Sequence, residues 1–370
     1  MKQIDRVYAV LHHEEPDVVP CHQGFTDVDA EEAFYGEQLH KIKDIGEQIL
    51  FKLRYWDNCM AWLGEALISE ELFSCGDHII NRTEFGSVQY VKRSPYFSKT
   101  IFNPVKHHED LKWTKPINIE TEQRMVRVEG MAESVKLFEK KGYFCYTYLN
   151  GPFESAWMFL RGIEKFLQDV VSNPSFAKKL VETAMKPQIE ITKMLIQECG
   201  FHGVYFSDDL GDKNTLFISP RMYREIIQPW HKRIAEVGHK LGAFVLMHSH
   251  GNINLILKEI VDTGVDMIDP LDPYDGMNLA EVKEKYGDKI SLLGGITRHV
   301  DRMSKEELKE HLIDRISIGA PGGGYMLGTA GGFSKETSKE NLEYYRKLCT
   351  KMRKYPQRKP SSEARKAWTR

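Results

Sequence analysis

From about residue 140 onward, two spacings of apolar positions alternate along the chain. Short apolar runs bounded by glycine or polar residues are separated by longer segments with apolar residues at helical spacing, the pattern of strands alternating with helices. The predicted strands are Tyr143 to Leu149, Gly203 to Ser207, Ala243 to Met247, Val265 to Ile268, Ile290 to Leu293 and Tyr325 to Leu327. Several helix ends between them are legible. Ser219 followed by Pro220 supplies an N-cap oxygen and a first-turn proline whose missing N–H costs nothing there. Met222, Tyr223, Ile226, Ile227, Trp230, Ile234, Val237 and Leu241 then form one buried stripe. Ser304 and Glu307 have the spacing of a capping box, opening a helix that runs toward Ile318. Pro187 and Pro229 fall inside helical patterns and remove backbone donors, so a kink or a division is expected at both.

The first 140 residues are less regular. Glu31 to Gly46 and Ile49 to Leu63 read as helices, and Ile79 to Val91 alternates like a hairpin turning near Phe85 and Gly86. The expectation is one domain over residues 1–350, with early barrel elements at its start and an inserted cap in part of residues 30–140. After it comes a basic tail, 351–370, that is low in aliphatics, broken by Pro356 and Pro360, and expected to fray. The repeated strand-helix unit fits either a closed barrel or a doubly wound open sheet. With 370 residues and 41% hydrophobic content, the chain can bury one large core, and barrels of that length form single units.

Charge narrows the range of partners. Basic and acidic residues number 51 and 53, a net of -2, so no global field draws the molecule to nucleic acid or to an anionic membrane. No apolar run is long enough to span a bilayer, and MKQIDRVYAVLHHEEPD lacks the apolar core of a secretory signal. Cys21, Cys59, Cys75, Cys145, Cys199 and Cys349 are scattered without a CxxC pair, which suits reduced thiols. A cytoplasmic protein acting on a small molecule is expected.

In a parallel barrel the loops after the strands converge on one mouth, so polar residues just past each strand are the candidates for chemistry. Here they are Asn150; Asp208 and Asp209; His248 and His250; Asp269 and Asp272; and Thr297 and Arg298. Two imidazoles two residues apart at a strand end can ligate one ion; alternatively one holds a neighbouring acid or carbonyl and the other is solvated. Asp208 and Asp209 can serve as metal ligand, general acid or base, or substrate acceptor, or else cap the loop before Gly211. Adjacent acids point apart, so one belongs in the pocket and the other in the framework. In DPLDP each proline stiffens the segment holding Asp269 and Asp272, for a site or for a simple turn. The glycines 294–295 and 322–324 match neither a dinucleotide nor a phosphate-loop fingerprint, and no nucleophile elbow is present.

The blocks GPFESAWMFLRG, VYFSDDLGDKNTLFISPRMYREIIQPWHKRI, VLMHSHGNI, VDMIDPLDP, LAEVKEKYGDKISLLGGI and APGGGYML, in this order from roughly residue 145 to 345, resemble the uroporphyrinogen decarboxylase superfamily. The resemblance implies a distorted (β/α)8 TIM-type barrel. The N-terminal segment VVPCHQGFTD has no arginine, whereas true decarboxylases of this group carry an arginine-rich motif there for the porphyrin carboxylates. The aspartate-rich DDLG segment looks more like the branch of methyltransferases that move a methyl group between a small substrate and a corrinoid protein. That branch implies zinc held in part by cysteine. Here His250 stands at the expected cysteine position and Leu327, Gly328 and Thr329 occupy the late one, so a thiolate-rich site is excluded.

His248 and His250 with Asp208 would form a harder zinc set, suited to polarising an oxygen. The expected activity is O-demethylation of a small, methoxylated substrate, with methyl transfer to a corrinoid on a separate partner protein. Asp208, Asp209 and Arg298 are the expected catalytic groups, and Asn150, Asp269, Asp272 and Thr297 the substrate contacts. The developing negative charge on the leaving oxygen would be met by metal, by Arg298 or by a protonated acid. Two rival readings are a metal-free lyase or decarboxylase and a non-catalytic ligand-binding barrel.

Overall fold

The computed structural model describes residues 1–94, 96–114, 117 and 123–355. In chain order the strands are β1 (Cys21–His22), β2 (Met60–Glu65), β3 (Ser69–Cys75), β4 (His78–Thr83), β5 (Val88–Lys92), β6 (Phe97–Phe102), β7 (Phe144–Asn150), β8 (Gly203–Ser207), β9 (Phe244–His248), β10 (Met267–Asp269), β11 (Ser291–Ile296) and β12 (Tyr325–Thr329). Eight of them form one parallel sheet in the order β1-β12-β11-β10-β9-β8-β7-β2. A parallel bridge between Cys21 of β1 and Asn58, two residues before β2, brings the sheet close to closure. Helices follow the strands, which makes this a (β/α)8 TIM-type barrel. All six strands predicted beyond residue 140 are present within a few residues of their expected bounds.

By backbone contacts the chain divides into two compact units. One comprises Met1–Ala61, Phe138–Phe144 and Asp266–Arg370, the other Trp62–Leu137 and Cys145–Val265. In the first, Phe25, Phe34, Tyr35, Trp56 and Phe333 make a cluster of aromatic edges and faces. The last helix, Lys339–Met352, ends at Arg353, which is 3% exposed and donates to the Val19 carbonyl and the Asp57 carboxylate, both at 2.7 Å. The tail expected to fray from residue 351 is therefore ordered through 355, and residues 356–370 lie outside the described residues. In the second unit, β3 to β6 form a four-stranded antiparallel sheet in sequential order. The hairpin expected near Phe85 and Gly86 is its β4–β5 pair, with Ile79 opposite Val91.

Helix prediction needs two corrections in the early region. The helix expected over Glu31 to Gly46 runs from Val28 to Leu39 with Asp27 as its cap, and Asp44 caps a separate helix, Ile45–Trp56. That second helix ends at Asp57, whose φ of 54° is left-handed, and Met60 to Leu63 belong to β2 rather than to the helix. Met60 and Ala61 are buried on both sides, so their apolar run imitates a helix face. Farther on, the helix Pro174–Met194 passes through Pro187 without interruption, whereas at Pro229 the expected division is found. A π-helical segment, Tyr223–Ile227, gives way to the α-helix Gln228–Lys240 with Pro229 in its first turn. Ser219 caps as expected, and Ser304 and Glu307 form their capping box. No helix among the described residues is long and apolar enough to cross a membrane.

Candidate functional site

Within the second unit, strand register brings distant residues to one level. Asn150 of β7 stands opposite Ser207 of β8, and Ser207 opposite His248 of β9. The loops leaving these strands therefore start side by side, as parallel barrel geometry requires. After β7 the chain turns at Gly151 and enters the short helix Pro152–Ser155, which places Glu154 in its first turn. A Cβ on Gly151 would lie 2.5 Å from Cβ and Cγ of Asp208, so only glycine lets the turn lie against that side chain.

The two adjacent aspartates point apart. Asp208 is fully buried; its Oδ1 accepts the Glu154 backbone N–H at 2.9 Å and its Oδ2 accepts His231 Nε2–H at 2.7 Å. Asp209 is part-exposed. Its Oδ1 accepts the His250 backbone N–H at 2.7 Å and lies 3.7 Å from His248 Nε2. The other ring nitrogen of His248 pairs with the Tyr205 hydroxyl at 3.1 Å, and its ring meets that of His250 edge-on at 4.6 Å. Aromatic rings continue along the same strands, with Tyr205 stacked near Tyr148 and Tyr148 near Trp62. Trp62 is 49% exposed.

Glu154 is the electrostatic centre of this group. Its side chain is 6% exposed, and Asn150 Nδ2 donates to Oε2 and the Asp209 backbone N–H to Oε1, each at 3.4 Å. Burial, with Asp209 and Asp208 adding like charge, pushes its carboxyl up to about 7, with His248 acting in the opposite sense. A carboxyl in that state exchanges a proton near neutral pH. Sequence reasoning missed Glu154 because it lies inside a helix rather than at a strand end. The signal available was a Gly-Pro turn after a strand with an acid in the next helical turn.

The zinc set expected from sequence does not fit. Both carboxylate oxygens of Asp208 are engaged by Glu154 and His231 inside the core, so Asp208 is a framework acid and not a third ligand beside His248 and His250. Among the described residues, no group of three or more His, Cys, Asp or Glu side chains is arranged to hold a metal ion.

The remaining predicted residues lie in the first unit. Arg298 donates through Nε to Asp272 at 2.7 Å and through Nη2 to Asp275, and it sits over the Tyr274 ring. It is thus neutralised by two acids, and Asp272, buried at 1% exposure, is committed to holding it. Asp269, 6% exposed, closes β10 and acts electrostatically on half-buried His22. Thr297 is buried; its backbone N–H meets His311 Nε2, and its hydroxyl accepts from the His299 N–H. Arg298, expected to act in catalysis, and Asp272 and Thr297, expected to contact substrate, are knit into the framework by these bonds.

No curated protein matches the chain in sequence. Among solved structures, a methyltransferase from Methanosarcina mazei superposes with a TM-score of 0.68 at 15% identity, covering 95% of this chain and 99% of that one. A 3-keto-D-glucoside 4-epimerase from E. coli gives a TM-score of 0.38 at 13% identity, covering 69% of this chain and 97% of that one. At 15% identity, the likeness to the methyltransferase bears on the fold alone. The model of the family described as uroporphyrinogen decarboxylase (URO-D) matches residues 86–352, well over half of the chain. By that match, the chain belongs to the uroporphyrinogen decarboxylase family.

Proposed function

We propose that the protein is a methyltransferase that removes a methyl group from an oxygen of a small substrate, with Glu154 as the proton donor to that oxygen. The observation that carries the reading is the Glu154 carboxyl, buried at the ends of β7 to β9 and held near pH 7 beside Asp208 and Asp209. An alkoxide or phenoxide is a poor leaving group, so the C–O bond breaks readily only if its electron pair is met by a proton as it departs. Asn150 and the Asp209 backbone N–H orient the acid, and the stacked rings of Tyr148 and Tyr205, with Trp62, lie along the same strands. Glu154 is reprotonated from solvent after product leaves. A reduced corrinoid on a separate protein supplies the methyl acceptor when bound. The methyltransferase of similar fold supports this branch of the family, as does the lack of arginine in VVPCHQGFTD. A cytoplasmic location belongs to the same reading.

The rival is a lyase: the family model is named for a decarboxylase, and a protonated Glu154 could equally protonate the carbon left by departing carbon dioxide. The test is anaerobic incubation with chemically reduced cobalamin, standing in for the partner, and a panel of methyl ethers and methanol. Formation of methylcobalamin by the protein, reduced about 100-fold or more in Glu154→Gln, is the expected result. Methyl transfer indifferent to Glu154→Gln would remove the acid from the mechanism. Release of carbon dioxide from carboxylate substrates without methyl transfer would establish the lyase.

A further inference from the structure

Behind Glu154 runs a chain of hydrogen bonds that no part of the proposed proton transfer uses. The Tyr223 hydroxyl lies 3.1 Å from His231 Nδ1, His231 Nε2 lies 2.7 Å from Asp208 Oδ2, and Asp208 Oδ1 receives the Glu154 backbone N–H. Tyr223, His231 and Asp208 all have 0% exposure. Because the carboxylate is acceptor only, Nε2 donates to it, and the other ring nitrogen, Nδ1, pairs with the Tyr223 hydroxyl. Burial keeps the Tyr223 phenol protonated, so it can donate. Donors from two sides therefore converge on Asp208, His231 from the core and the Glu154 amide from the turn.

That turn has no cap of its own. The helix Pro152–Ser155 has no side-chain hydrogen bond at its N-cap, Gly151, and the first amides of a helix are otherwise without partners. Asp208, the first residue past β8, supplies the missing acceptor. We propose that His231 is a positioning residue, which holds the Asp208 carboxylate in the place where it anchors the Glu154 amide and thereby fixes how the Glu154 side chain is presented. Stability alone would not demand a buried Asp-His pair, since apolar replacements of like volume serve cores as well or better. The local helix also serves the alignment. Residues eight apart in an uninterrupted α-helix are rotated by roughly 80° from one another. Tyr223 and His231 nevertheless meet, and between them lies the wider π turn Tyr223–Ile227, which takes up that rotation.

This inference rests on Glu154 being the proton donor, but its test does not. Amide hydrogen exchange at Glu154 is compared in the full-length wild type, His231→Leu, His231→Gln and Tyr223→Phe, alongside kcat and KM for methyl transfer to reduced cobalamin. Gln places an amide N–H where Nε2–H stood. The expected result is a loss of about tenfold or more in Glu154 protection in His231→Leu, with the β7 and β8 amides unchanged and near-native protection in His231→Gln. The fall in rate should appear in kcat, with KM within about twofold and recovery in His231→Gln. Should His231→Leu fail to fold, Tyr223→Phe decides. Reduced Glu154 protection there supports the role, and native protection overturns it. Native protection in a folded His231→Leu, or a loss spread evenly over β7 and β8, also overturns it. If protection falls as expected but Glu154→Gln transfers methyl groups normally, the proton-donor reading is the one that fails.

Discussion

A carboxyl group that keeps its proton near neutrality must lose more by desolvation of its charged form than it gains from nearby donors, and Glu154 meets that condition. Two weak donors at 3.4 Å are set against near-complete burial and two adjacent aspartates. The sign of the pH dependence follows. In the proposed mechanism the active form is the acid, so methyl transfer should be flat below neutrality and fall as pH rises through about 7, and a pH-rate profile checks this. Stability follows the same direction. Below the ordinary value of 4.5 both folded and unfolded chains hold the proton, and between 4.5 and about 7 the unfolded chain sheds it first. This group therefore withdraws stability as pH rises over that window, and Glu154→Gln should flatten the denaturation midpoint across it. Asp208, one link away, is the opposite case: its two acceptors are filled by an amide and an imidazole, and Asp208→Ala should release both at once. Because that leaves buried donors unpaired, a loss of about 3 kcal/mol in chemical denaturation is expected.

At the level of elements, the loops after β8 and β9 are docked backbone to backbone. The Asn252 N–H donates to the Asp212 carbonyl at 2.7 Å, and Gly251 has a φ of 93°. A Cβ there would come within 2.2 Å of the Gly211 carbonyl oxygen, an atom that cannot swing aside. Gly251→Ala should therefore cost about 2 kcal/mol or more, from strain and overlap together, and should displace His250, its neighbour. Thermal unfolding measures the first effect, and the chemical shifts of the His250 ring report the second. The same loops explain which sequence expectations reached the structure. Strand ends were legible because each apolar run stops at glycine or a polar residue. The helix expected over Ile49 to Leu63 overran because Met60 and Ala61, buried on both faces of β2, look the same in one dimension as the inner side of a helix.

Across the whole molecule, the barrel draws its first strand from residue 21 and its last from residue 325, so much of its order depends on contacts far apart in sequence. Arg353 is one such tie. It joins the last helix to Val19 and Asp57, with the guanidinium buried and the Asp57 carboxylate partly in water. Arg353→Met keeps most of the side-chain volume and removes the charged hydrogen bonds. A loss of about 2 kcal/mol in denaturant unfolding is expected, without change in the pH profile proposed for Glu154. Family membership belongs to this scale too, because the match extends over residues 86–352 rather than over one motif.

What the amino-acid order settled unaided is local in origin: the alternation of strand and helix, the caps at Ser219 and Ser304, the division at Pro229, and the polar residues waiting after each strand. These depend on hydrogen bonds and side-chain periodicity within a few residues, which a one-dimensional pattern records. Which of two neighbouring aspartates faces the core, that Asp208 meets His231 instead of His248, that Arg298 is held by two acids, and that burial pushes the Glu154 carboxyl up to about 7 were decided only in three dimensions. The reason is physical: direction of a side chain, loss of water around it and the charges that come to face it are properties of packing between segments, and no spacing along the chain encodes them.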